Sequence, residues 1–178
     1  MKLTVENLRT LDPIQLIDEA QHLAERERTC KRKAVGAVLL QWNGITRFSI
    51  VDRFYNRSSS IGCTGEVGNC GCIHAEFSLM YYFLCARRTD VVILLQYSPC
   101  TSCANLLILN GHHIQAIVWK IDTEHDMRGI EILKVAGIQC GNWKEINDSN
   151  RFAERMEESN SRTSRGASTD QADQESLS

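Results

Sequence analysis

The sequence has no apolar run long enough to span a membrane, no internal repeat and no long basic run. Aromatic residues make up only 7% of it, and the formal net charge is −2. These shortages count against a membrane-embedded protein. They also count against a chain drawn to polynucleotides by global charge, although Arg26, Arg28, Lys31, Arg32 and Lys33 form a local basic patch. Residues 1–7 lack the apolar core of a signal peptide. Eight cysteines without a secretory signal point to a reducing compartment, with thiols kept for metal, so a cytoplasmic location is expected.

What is present suits one globular domain. The chain has 178 residues, 43% hydrophobic and 24% charged. The composition changes after about residue 150, and from Ser159 onwards Leu177 is the only large apolar residue. A domain over 1–150 and a polar, disordered tail over 151–178 are therefore expected, because such a tail cannot bury enough surface to offset its ordering entropy.

Two short stretches carry the chemistry. His74-Ala75-Glu76 reads H-x-E, and Pro99-Cys100-Thr101-Ser102-Cys103 reads P-C-x-x-C. One imidazole and two thiolates make three zinc ligands, and a fourth tetrahedral position stays open. A water there becomes a nucleophile near neutral pH. Glu76, two residues past His74, is placed to move its protons without being a ligand. Ser98 is expected to cap a helix with Pro99 at its first position, so that Cys100 and Cys103 share one face of the first turn. The positive end of that helix favours thiolates. The joint pattern is that of zinc deaminases.

The remaining elements follow from periodicity. Asp12-Pro13 opens a helix over about 12–29. Ala34–Leu40 reads as a buried strand, Asn43-Gly44 as a hairpin turn and Ile45–Val51 as its partner, with a loose apolar pattern. Residues 52–72 read as an irregular loop. Its Cys63, Cys70 and Cys72, with Cys30 folded alongside, would suit a second, structural zinc; buried thiols acting as small hydrophobes are the alternative, and both readings stay open. Then come a helix over 74–87, a central strand over 91–96, a helix over 100–110, a strand over 114–119, a helix over 126–136 and a short extended piece over 138–140. This order predicts an α/β fold, a three-layer α/β/α sandwich around a mixed central sheet.

Thr29-Cys30-Lys31-Arg32-Lys33-Ala34-Val35-Gly36-Ala37-Val38, Ile73-His74-Ala75-Glu76, Pro99 to Ile108 and Glu131 to Ile138 together resemble the deoxycytidylate deaminases over roughly residues 12–145. The resemblance implies a cytidine-deaminase-like fold, a catalytic Zn2+ on His74, Cys100 and Cys103, and Glu76 as the proton carrier. It implies hydrolytic deamination of dCMP to dUMP, a hexamer, and control by dCTP and dTTP, with Mg2+ accompanying the triphosphate. Where that family has a G-Y-N-G-x-P loop, this chain reads Phe54-Tyr55-Asn56-Arg57-Ser58-Ser59. Asn56, Ala75 and Tyr97 are the candidates for contacting substrate; Arg26, Arg28, Lys31 and Arg32 are those for its phosphate. His112 and His113 read as surface residues. The rival readings are deamination of a base in single-stranded DNA or RNA, or of another free nucleotide, and a zinc-stabilised subunit without turnover. The shortage of aromatic and basic residues disfavours a strand groove, and Glu76 has no use in a purely structural site.

Overall fold

A computed structural model of the chain describes residues 8, 11–27, 30–42, 48–58, 62–66, 70–123 and 127–149. The first helix, α1 (Pro13–Arg26), starts as its sequence demands: Asp12 accepts the Gln15 N–H at 3.2 Å and Pro13 fills the first turn. Leu16, Ile17, Ala20 and Ala24 make its buried stripe. Seven strands follow in chain order with three more helices: β1 (Gly36–Trp42), β2 (Phe48–Tyr55), β3 (Arg57–Ser58), β4 (Cys72–Ile73), α2 (Ala75–Ala86), β5 (Val91–Tyr97), α3 (Thr101–Ile108), β6 (Ile114–Ile121), α4 (Arg128–Val135) and β7 (Cys140–Asn142).

The main sheet runs β2-β1-β5-β6-β7, antiparallel on the β2 and β1 side and parallel from β5 onwards. It is the mixed sheet expected. Central β5 is buried from Val91 to Gln96, which is why its sequence is a continuous apolar run rather than an alternation. Ala37 and Leu39 of β1, Ile93 and Leu95 of β5 and Ile117 of β6 form one core with Leu79, Met80 and Phe83 of α2, Leu107 of α3 and Leu133 of α4. The opposite face of β1 packs on α1. A Cβ at Gly36 would lie 2.5 Å from the Ala20 carbonyl carbon, so glycine there lets helix and strand touch.

Boundaries moved for physical reasons. Strand β2 reaches Tyr55, so residues 52–55, expected as loop, belong to the sheet. Leu39 pairs with Asp52 but Leu40 with Ile50, leaving Val51 as a bulge. A bulge on an edge strand shifts which side chains face inward beyond it. β3 and β4 pair as a separate two-stranded ribbon, Arg57 opposite Ile73. The extended piece near 138–140 sits two residues later, as edge strand β7. The Asn43-Gly44 turn and the segment 151–178 lie outside the described residues. The chain divides into Met1–Trp143 and Lys144–Ser178; within the second unit, residues 144–149 are described and are helical. Among the described residues no helix is long and apolar enough to cross a membrane.

Candidate active site

His74 is the N-cap of α2, and Cys100, not Ser98, is the N-cap of α3. The helix starts two residues later than expected because Ser98 is engaged elsewhere. Its hydroxyl accepts the Thr123 N–H at 2.8 Å and lies 2.8 Å from the Thr123 hydroxyl, while its own N–H reaches the Ile121 carbonyl. That leaves Cys100 extended (φ −69°, ψ 166°) at the helix mouth, with Cys103 on the first turn.

Neither cap residue spends its side chain on its helix. They turn towards each other. His74 Nδ1 lies 3.7 Å from Cys100 Sγ and 3.4 Å from Cys103 Sγ. Zinc–nitrogen bonds of about 2.0–2.1 Å and zinc–sulfur bonds of about 2.3 Å give tetrahedral nitrogen–sulfur edges of about 3.6 Å. The three atoms could thus hold a tetrahedral cation without rearrangement. Hydrogen bonds with Cys103 and then with His74 pull the Cys100 thiol down to about 4, so it is a thiolate at neutral pH, as ligation requires. Its hydrogen bond to Cys100, followed by burial, pushes Cys103 up.

Glu76 is the second residue of α2 and is buried. Burial pushes its carboxyl above the ordinary carboxylate range, against the opposing pull of its own N–H and of His74. A carboxyl whose proton affinity is raised in that way is suited to accept and deliver a proton.

These groups open into a cavity of about 230 Å3. Asn56, Ala75 and Tyr97 line it with His74, Glu76 and Cys100, so all the expected substrate-contacting residues come together. Asn56 is already partly committed. It is buried, its Oδ1 accepts the Val35 N–H at 2.8 Å, and its Nδ2 donates to the Lys33 carbonyl at 2.8 Å. One amide hydrogen and one lone pair remain for a ligand. Arg32 is the one described phosphate candidate among the lining residues, and Lys33 joins it with its ammonium 3.6 Å from the centre of the Tyr97 ring. Arg28 lies outside the described residues. Arg57 lies over Tyr55, its guanidinium 4.8 Å from the ring centre. His112 and His113 sit in a short turn before β6, with His113 edge-on to Phe83, apart from the three ligand candidates.

Two contributors were missed. Thr123 fixes Ser98, and only the parallel pairing of β5 with β6 brings them together. Gly129 opens the way for α4: a Cβ there would lie 2.0 Å from the Pro99 carbonyl oxygen and 2.9 Å from the Cys100 carbonyl carbon. The glycine at the head of a helix was the available signal.

The second group of thiols also assembles. Cys30, Cys63, Cys70 and Cys72 have their sulfurs within 4.8 Å of one another. None of the eight cysteines is in a disulfide.

Compared with known proteins, residues 12–120, more than half of the chain, match the family described as the cytidine and deoxycytidylate deaminase zinc-binding region. No curated protein matches the sequence. Among solved structures, the dCMP deaminase of the cyanophage S-TIM5 is similar in its apo form, with 21% identity over 72% of this chain and 94% of that one and a TM-score of 0.53. Its complex with dCMP and dUMP gives 19% identity, 72% and 93% coverage and a TM-score of 0.56. The Rib2 deaminase of Aspergillus oryzae has 21% identity over 73% of this chain and 84% of that one, with a TM-score of 0.53.

Proposed function

The chain belongs to the cytidine and deoxycytidylate deaminase zinc-binding family, and from that premise we propose that it deaminates dCMP hydrolytically to dUMP and ammonia. The observation that carries the reading is the meeting of His74 Nδ1, Cys100 Sγ and Cys103 Sγ at zinc-ligand spacing, beside a buried carboxyl in one cavity.

A zinc ion held by His74, Cys100 and Cys103 would supply an acidified water as the nucleophile. The chain's own groups do the rest. Glu76 takes a proton from the attacking water and delivers it to N3 as the water oxygen bonds to C4; it then moves the remaining hydroxyl proton to the amine, which leaves C4 as ammonia while the C4 carbonyl forms. Burial of Glu76 supports this, because it brings the carboxyl's proton affinity closer to that of the groups it serves. The cavity wall from Asn56, Ala75 and Tyr97 holds the base and sugar. Arg32 and Lys33 at its rim suit a monophosphate, one as a fork and one as a point charge. Among solved structures, the similar cyanophage deaminase was crystallised with dCMP and dUMP, which agrees with a nucleotide-sized ligand.

Assembly into a hexamer and control by dCTP or dTTP with Mg2+ belong to the same proposal. Phe77, Tyr81 and Leu84 support self-association: they are exposed on α2 at helical spacing, an apolar stripe with no cover among the described residues.

The test is a substrate panel: dCMP, deoxycytidine, dAMP and a cytosine-containing single-stranded oligonucleotide, with ammonia release followed for each. The reading expects dCMP to have the highest kcat/KM. It also expects Arg32→Ala to lower kcat/KM for dCMP but not for deoxycytidine. Preference for the oligonucleotide, or equal losses on both substrates in the variant, would overturn it.

A further inference from the structure

Four cysteine sulfurs converge outside the main sheet. Cys30 follows α1, Cys63 lies in the irregular stretch after β3, and Cys70 and Cys72 flank Gly71 at the start of β4. Cys30 and Cys63 are buried, and their sulfurs stand 3.8 Å apart. Zinc–sulfur bonds of about 2.3 Å put the sulfur–sulfur edge of a tetrathiolate site at about 3.8 Å. A disulfide needs about 2.05 Å.

We propose that Cys30, Cys63, Cys70 and Cys72 form a second, structural zinc centre that ties the basic rim of the cavity to the strand delivering His74. Four converging thiols select zinc among the common divalent ions, whereas calcium and magnesium take oxygen ligands. The backbone is shaped to support thiolates. The Lys31 N–H points at Cys63 Sγ at 3.4 Å, and the Gly65 N–H is also directed at Cys63. The Arg32 and Lys33 N–H groups are directed at Cys30. Gly65 reaches that turn in the left-handed region, at φ +85°. Such N–H···S bonds are the outer support that metal-bound sulfur needs. A zinc with four thiolates carries net charge −2, and Lys31, Arg32 and Lys33 follow Cys30 directly to offset it.

The placement gives the centre its use. Two residues beyond Cys72 stands His74, and two and three residues beyond Cys30 stand Arg32 and Lys33, which line the cavity. Metal binding there would supply ordering energy to the residues that carry Cys63, Cys70 and Cys72.

The experiment counts metal in the full-length protein supplied with zinc alone. Two zinc ions per chain are expected for the wild type, and one each for Cys63→Ser and His74→Ala. Cobalt loaded into His74→Ala should give the intense thiolate-to-metal charge-transfer bands and red d–d bands of a tetrathiolate site; Cys63→Ser added to that variant should remove them. Should Cys63→Ser alone fail to fold, the cobalt spectrum of His74→Ala decides. One zinc in the wild type with none in His74→Ala, or a cobalt spectrum without sulfur ligands, would overturn the proposal. Neither readout requires turnover, so failure here is distinguishable from failure of the proposed reaction.

Discussion

Glu76 is useful to the proposed reaction because it is neither exposed nor a ligand. Its position two residues after His74 was legible in the H-x-E spacing. Its burial was not, since that depends on residues brought around it by the fold. Glu76→Gln should keep its zinc and lose about 10²–10⁴-fold in kcat, the usual contribution of a positioned acid–base group. Elemental analysis beside steady-state kinetics checks it. Asn56 shows the converse. Its place near the substrate was read from a resemblance, but the structure ties its amide to the Lys33 carbonyl and the Val35 N–H. Asn56→Ala should therefore cost about 0.5–1.5 kcal/mol of stability, because two part-buried backbone hydrogen bonds are lost. Urea denaturation measures that cost, and KM should rise with it because the same wall lines the cavity.

At the scale of elements, two helix starts hold the candidate ligands. Periodicity gave α1, α2 and β5 nearly whole, because each is long and its apolar pattern is strong. The start of α3 was misread: Ser98 is a good cap in isolation, but Thr123 claims its hydroxyl and the cap passes to Cys100. No local rule reveals a partner 25 residues away across a parallel strand pair. Gly129 was hidden for the same reason. Gly129→Ala should push the Pro99-Cys100 turn away from α4 and weaken zinc binding about 10–100-fold, as loss of a supporting contact does. Competition with a chromophoric chelator reads the change. Gly36→Ala, at the α1–β1 contact and far from the ligands in its effect, should instead cost about 1–3 kcal/mol of stability through overpacking.

Across the whole molecule, the order of helices and strands was enough to predict a mixed sheet with helices on both faces, because each alternation of period leaves few topologies open. The motifs already brought His74 and Cys100 together; what neither motif nor order could show is that Gly129 packs against the Pro99-Cys100 turn. Zinc bound to such a site stabilises the folded chain by mass action, about 4 kcal/mol at a thousandfold excess over its dissociation constant. Chelation should accordingly lower Tm and abolish turnover, and zinc should restore both; calorimetry with and without chelator tests it. The most direct test of the account is conversion of dCMP by the zinc-replete protein, followed by ultraviolet absorbance beside Glu76→Gln. Formation of dUMP by the wild type and its near-absence in the zinc-loaded variant is the predicted result. A folded, zinc-loaded wild type that leaves dCMP untouched, or a variant that converts it equally fast, would contradict the account.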